Sequence, residues 1–186
     1  MENRMKQYED LEYILLKEEE IKDSVRKLGE QLTKEYAGKN PLFICILRGS
    51  IVFFADLIRC IDLPLQIDSM AVSSYGSGTE TSGMIKMEKD LRDDVAGRDV
   101  VIVEDIVDTG RTLFYLKEDL KRRGVNSVKL VTLLDKPSRR QTEINADYAC
   151  FTIPDAFVVG YGLDYNEKYR NLPDIGVLHS RIYSDK

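Results

Sequence analysis

Val100-Val101-Ile102-Val103-Glu104-Asp105-Ile106-Val107-Asp108-Thr109-Gly110-Arg111-Thr112, VVIVEDIVDTGRT, opens with four β-branched apolar residues in a row. Such a run suits a strand buried on both faces, as in a parallel sheet. Two carboxylates, Glu104 and Asp105, stand at its carboxyl end, and the short polar turn Asp108 to Thr112 leads into an amphipathic stretch. Ligands of parallel sheets bind at such strand ends. The turn offers backbone N–H groups beside a small Gly110, the hydroxyls of Thr109 and Thr112, the Arg111 guanidinium and the positive end of a following helix. Together these make a phosphate cradle. The acid pair suits sugar hydroxyls or a divalent cation, so one loop can hold a ribose phosphate from both ends. Neither a G-x-x-x-x-G-K-[ST] run nor a G-x-G-x-x-G run occurs in the chain, which removes the main support for a P-loop or dinucleotide site.

Outward from this segment, strand and helix patterns alternate. Ile21, Val25, Leu28 and Leu32 recur at helical spacing and Gly38 follows, giving a helix over about 18–36. Pro41 opens a buried strand, 42–47; Arg48-Gly49-Ser50 turns the chain into an apolar helix, 51–60; a second strand covers 65–72. Residues 73–83, SSYGSGTETSG, are polar and glycine-rich and read as a mobile loop. Leu113, Leu116 and Leu120 mark a helix stopped by Gly124, with strands at 128–134, 148–153 and 157–160 after it. Residues 164–174 are polar and irregular. The pattern predicts an α/β fold with a central, mostly parallel twisted sheet flanked by helices on both faces. One domain, 1–186, is expected, with the chain ends, about 1–17 and 152–186, forming a small lobe over the strand ends.

The 186 residues are 43% apolar and 32% charged with a net charge of −5, which argues against a large nucleic-acid footprint. His179 is the single histidine, so a histidine triad or a zinc site is disfavoured. Cys45, Cys60 and Cys150 are odd in number, widely spaced and set among apolar residues, and are read as buried reduced thiols of a cytoplasmic protein. The first residues have no apolar leader segment, and no apolar run approaches the ~20 residues that span a bilayer.

Residues 100–112 closely resemble the phosphoribosyl pyrophosphate (PRPP) motif of type I phosphoribosyltransferases. Leu47-Arg48-Gly49-Ser50, Ser74-Tyr75, Asp135-Lys136-Pro137 and the run FVVGYGLDYNE, Phe157 to Glu167, resemble hypoxanthine-guanine phosphoribosyltransferases in order and spacing from about residue 40 to 175. Arg48 and Arg111 stand where lysine is commoner in that family, with the charge kept. The resemblance implies the type I phosphoribosyltransferase fold, with its small hood lobe, and transfer of the phosphoribosyl group of PRPP to N9 of a 6-oxopurine. Hypoxanthine would give IMP and guanine GMP, with release of pyrophosphate and dependence on Mg²⁺.

By the same resemblance, Glu104 and Asp105 hold the ribose hydroxyls, and Asp108, Thr109, Gly110, Arg111 and Thr112 wrap the 5′-phosphate. Leu47, Arg48, Gly49, Ser74, Tyr75 and Arg170 meet pyrophosphate. Lys136, Phe157, Val158, Leu163 and Asp164 meet the purine, and Glu104, Asp105 and Asp164 lie on the metal side. Asp108 is the catalytic candidate, facing purine N7; the other reading of Asp108 is a side-chain cap of the following turn. Lys136 can only donate, which suits the O6 acceptor of a 6-oxopurine and opposes the amine of adenine. The family pattern also implies a cis peptide bond between Leu47 and Arg48, closure of residues 73–83 over the site, and a homodimer or homotetramer. A xanthine- or adenine-preferring enzyme of the same fold is the nearest alternative. A PRPP-sensing, nucleic-acid-binding regulator is the alternative from another class, and the presence of Asp108 speaks against it.

Overall fold

The computed structural model describes residues 2–74 and 85–184, with backbone alone for 2–5 and 74. In chain order the elements are α1 (Glu2–Glu9), β1 (Leu11–Leu16), α2 (Glu18–Glu35), β2 (Leu42–Leu47), α3 (Ile51–Arg59), β3 (Gln66–Ser74), β4 (Ile85–Lys89) and β5 (Asp99–Val107). Then follow α4 (Arg111–Arg122), β6 (Ser127–Asp135), a 3₁₀ turn (Pro137–Arg139), β7 (Tyr148–Thr152), β8 (Val158–Val159), β9 (Ile175–Leu178) and α5 (Ser180–Tyr183).

Six strands form the main sheet in the order β4-β3-β2-β5-β6-β7. β3, β2, β5, β6 and β7 run parallel, and β4 alone is antiparallel, at the edge beside β3. The apolar run of β5 is buried on both faces because its residues alternate between two cores. Val101 and Val103 pack with Phe43, Cys45 and the inner stripes of α2 and α3, including Ile21, Val25, Leu32, Phe53 and Leu57. Val100 and Ile102 pack with Leu42, Ile44, Ile46 and the α4 stripe Leu113, Leu116 and Leu120. Helices thus cover both faces, as the alternating pattern requires. β5 continues past its apolar run: Glu104 and Ile106 to Val107 pair with β6 as far as Asp135, so Glu104 and Asp105 lie within the strand's last turn of pleat, with the loop beginning at Asp108.

A second sheet, β1-β9-β8, draws its strands from both ends of the chain. β9 pairs antiparallel with β1 and with β8. Its own small core contains Leu11, Val159, Tyr169, Leu172 and Leu178. Hydrogen bonds lace it to the irregular segment before β9: the Tyr169 hydroxyl donates to Asp10 at 2.8 Å, and Asp174 accepts from the Tyr8 hydroxyl and from the first N–H of α2, at Glu18. All three cysteines are free thiols, but only Cys45 is fully buried, Cys60 and Cys150 being partly exposed at the edge of the core; desolvation raises the pKa of Cys45 and Cys150, the latter to about 11. Among the described residues no helix is long and apolar enough to cross a membrane.

Candidate active site

The carboxyl ends of β2, β5 and β6 converge with loops of the second sheet. At the end of β2 the Leu47–Arg48 peptide bond is cis, as the resemblance implied. The turn it opens lies so close to β5 that a Cβ on Gly49 would stand 1.7 Å from Asp105 Oδ2, and one on Gly162 would stand 2.1 Å from the Gly49 carbonyl oxygen. Gly162 has φ +103, so glycine is required there on conformational as well as steric grounds. A cavity of 480 Å³ opens at this junction, lined by Leu47, Arg48, Gly49, residues Ala71 to Ser73 of β3, Glu88, Asp105, Asp164 and Arg170. Ala71, Val72 and Glu88 were not expected from the sequence, and Ser73, expected at the start of a mobile loop, lies within β3. They come from the β3–β4 pair, whose connecting residues 75–84, Tyr75 included, lie outside the described residues, as does the side chain of Ser74.

The electrostatics of the acid pair follow from burial. Desolvation, with the neighbouring Asp105 charge adding to it, holds the Glu104 carboxyl well above the ordinary carboxylate range. Asp105 is pushed up to about 6, mainly by desolvation, against the pull of backbone N–H donors and of Arg170. Glu104 Oε2 is a buried acceptor without a hydrogen-bond partner, while Asp108 Oδ1, also without a hydrogen bond, has the Arg139 guanidinium 3.3 Å away. Buried polar groups in folded proteins are nearly always satisfied, so unpaired ones at a strand end call for a ligand.

The turn from Asp108 to Thr112 is held from outside. Gly110 caps α4 with φ +81 and has no room for a side chain, since a Cβ would lie 2.4 Å from Ile144 and 2.7 Å from Thr142 Oγ1. The positive dipole end of α4 faces this turn. Arg140 donates to the Asp108 carbonyl oxygen at 2.8 Å and also pairs with Asp135, and the Gln141 N–H donates to the Thr109 carbonyl at 2.9 Å. Arg139 Nε lies 3.3 Å from Asp108 Oδ1. These two arginines follow Asp135-Lys136-Pro137 after one intervening residue, Ser138. Their bond to a loop 30 residues earlier has no local signature.

Lys136 is only 5% exposed; its ammonium donates to the Ala156 carbonyl at 2.7 Å and lies 3.5 Å from Asp155. Phe157 comes next in the chain, 38% exposed, stacked on Tyr183 at 4.9 Å between centroids. Val158 and Leu163 are buried beside it. On the opposite side Asp164 pairs with Arg170 at 2.8 Å, and Arg170 donates to the Gly162 carbonyl at 2.8 Å. The structure therefore brings Glu104, Asp105, Asp108, Lys136, Phe157, Asp164 and Arg170 to one end of the sheet.

A family model described as the phosphoribosyl transferase domain matches residues 14–166. A hypoxanthine-guanine phosphoribosyltransferase of Lactococcus lactis is 59% identical over 174 residues, 94% of each chain. One from Streptococcus thermophilus is 53% identical over 175 residues, 94% of this chain and 97% of the relative. The chain belongs to the hypoxanthine-guanine phosphoribosyltransferase family. A crystal structure of a hypoxanthine phosphoribosyltransferase from Staphylococcus aureus, 51% identical, matches with a TM-score of 0.93 over 96% of this chain and 97% of that one. A Trypanosoma cruzi family member, solved as a ternary substrates complex, is 42% identical with a TM-score of 0.89 over 95% of this chain and 100% of that one. The type I phosphoribosyltransferase fold and the pentosyltransferase class inferred from residues 100–112 are those of the family.

Proposed function

We propose that this protein moves the phosphoribosyl group of PRPP onto N9 of hypoxanthine or guanine. The C1′–oxygen bond to pyrophosphate breaks, its electron pair leaving with pyrophosphate; the N9–C1′ bond forms; and the purine gives up a proton. The observation that carries this reading is Glu104 Oε2, a buried acceptor with no hydrogen bond, on the strand that leads through Asp108 to the glycine-capped start of α4. PRPP offers both sugar hydroxyls and a phosphate to such a set of groups. Glu104 and Asp105 hold the ribose, the turn from Asp108 to Thr112 holds the 5′-phosphate, and Asp108 takes the proton at N7.

Arg48, Gly49, Arg170 and the β3 end, with Ser74 and Tyr75, take the pyrophosphate. Lys136, held by the Ala156 carbonyl, retains protons for O6, while Phe157 supplies a ring face and Val158, Leu163 and Asp164 the base edge. Closure of residues 73–83 would exclude water from a cationic sugar.

Among the described residues no group of three His, Cys, Asp or Glu side chains is gathered as a metal cluster. Mg²⁺ nonetheless fits the donor set. It prefers oxygen, and where phosphates are present it needs only one or two carboxylates. Glu104, with its orphaned oxygen, and Asp105 and Asp164, which line the cavity, are the residues that would hold it. The ion would neutralise charge on the leaving pyrophosphate.

We read the chain as a single domain with the second sheet as its hood, working as a homodimer or homotetramer in the cytoplasm, where three free thiols are stable. Nucleic acid and membrane are not partners in this reading. Turnover of hypoxanthine, guanine, xanthine and adenine with PRPP and Mg²⁺ tests it: 6-oxopurine turnover is expected, and adenine turnover at a comparable rate overturns the base assignment.

A further inference from the structure

Tyr165 to Lys168 forms a two-residue hairpin, with reciprocal bonds from the Lys168 N–H to the Tyr165 carbonyl at 3.1 Å and from the Tyr165 N–H to the Lys168 carbonyl at 3.3 Å. Its central residues, Asn166 and Glu167, have φ +51 and +61, the pattern of a type I′ turn. That turn favours Asn-Gly, because the second centre is left-handed and glycine alone adopts it freely. This chain places a glutamate there. Backbone outliers of this kind persist where the surroundings over-determine them, and they point to function.

The surroundings are specific. The Glu167 N–H donates to Asp164 Oδ2 at 2.9 Å, which ties the turn to a residue of the cavity wall. One carboxylate oxygen, Oε1, accepts from Arg48 at 3.1 Å, and the other, Oε2, lies 3.5 Å from Arg170. Both arginines line the 480 Å³ cavity. A carboxylate that spans two guanidiniums with one oxygen each occupies the electrostatic role of a bridging phosphate. Yet it is 59% exposed and joined to Arg48 by a single hydrogen bond, so it is easily traded for water.

We propose that Glu167 is a placeholder anion: in the empty enzyme it spans Arg48 and Arg170, yields them to the pyrophosphate group, and reclaims them as pyrophosphate leaves. The inference rests on the reading of this cavity as the pyrophosphate pocket. Competition of this kind keeps both arginines near their working positions and weakens the final product complex.

The test is a double-mutant cycle on pyrophosphate binding, measured by calorimetry with Mg²⁺ for the wild type, Glu167→Gln, Arg48→Gln and the double variant. Both side chains are exposed, so all four proteins are expected to fold. Glu167→Gln is expected to bind pyrophosphate about 3- to 10-fold more tightly, with a slower dissociation rate. In the Arg48→Gln background that gain is expected to shrink to less than 2-fold. Unchanged or weaker binding in Glu167→Gln overturns the placeholder role, and so does a gain that survives in full without Arg48, which would mark simple charge repulsion. Arg48→Gln alone that binds pyrophosphate as well as the wild type overturns the pocket reading itself, and the placeholder with it.

Discussion

Gly162 and Gly49 meet backbone to backbone, leaving no space for a methyl group between the hood loop and the turn after β2. This contact locks the loop that carries Arg170 to the loop that carries Arg48. Gly162→Ala puts a Cβ 2.1 Å from a carbonyl oxygen at a φ of +103, so one loop must withdraw. A loss of about 3 kcal/mol in stability is expected, read as a fall in Tm of roughly 10 °C, together with PRPP affinity at least ~10-fold weaker as the pocket opens by an ångström or so. A variant as stable and as tight-binding as the wild type would show that the two loops move independently.

Asp108 is open to a two-parameter measurement. Asp108→Asn keeps the size of the side chain and leaves the Arg140 bond to the main-chain carbonyl in place. It removes the proton acceptor, so kcat is expected to fall about 10²- to 10⁴-fold with the PRPP dissociation constant nearly unchanged. Weakened PRPP binding with near-normal kcat assigns Asp108 instead to capping the turn.

Lys136 is a buried ammonium whose fixed bond to Ala156 leaves protons to offer. A donor facing O6 is expected to give the wild type about 10⁴-fold higher kcat/KM for hypoxanthine than for adenine. Lys136→Met is expected to cut hypoxanthine kcat/KM by roughly 10²-fold and adenine activity far less, collapsing the ratio. A ratio that survives the substitution moves base selection to the backbone around Val158.

Asp105 makes the enzyme pH-sensitive in a known direction. Its carboxyl titrates near 6 when folded and near 3.8 when unfolded, so between those values the folded protein keeps a proton the unfolded chain has released. Its contribution therefore favours folding at low pH and is lost as pH rises through 6. Asp105→Asn is expected to be about 2 to 3 kcal/mol more stable than the wild type at pH 7.5, with the difference vanishing toward pH 4. Denaturant titrations at several pH values decide this. The same protonation predicts that Mg²⁺-dependent PRPP binding weakens below about pH 6, since a neutral carboxyl is a poor ligand for a hard cation.

The parallel sheet was legible because β2 and β5 are short continuous apolar runs, Leu42 to Leu47 and Val100 to Val103, and because the α4 stripe recurs at helical spacing. β4 and β1 were not legible. Ile85 to Lys89 carries two lysines and a glutamate and becomes a strand only by pairing along the β3 edge, and three of the six residues of β1 are exposed. β9 was hidden by its brevity, four residues between a polar segment and the end of the chain. In the site, the acid pair near the end of β5 and the glycine-capped turn into α4 could be placed from residues 100–112 alone, since local order carries that arrangement. The bonds of Arg140 to Asp108 and of Arg48 to Glu167 span 32 and 119 residues, and no local pattern encodes contacts of that range.

The pairing of β1 with β9 has a consequence for biosynthesis. β9 is made after every other strand of both sheets, and β1 before any of them. Because domains form from the N-terminal side during translation, the turn after β5 can be complete on the ribosome while β1 still waits for its partner. On the proposed reading of the turn after β5 as the sugar-phosphate site and of Lys136 and Phe157 as the base site, the nascent chain gains the first before the second, and purine selection waits for β8 to find β9.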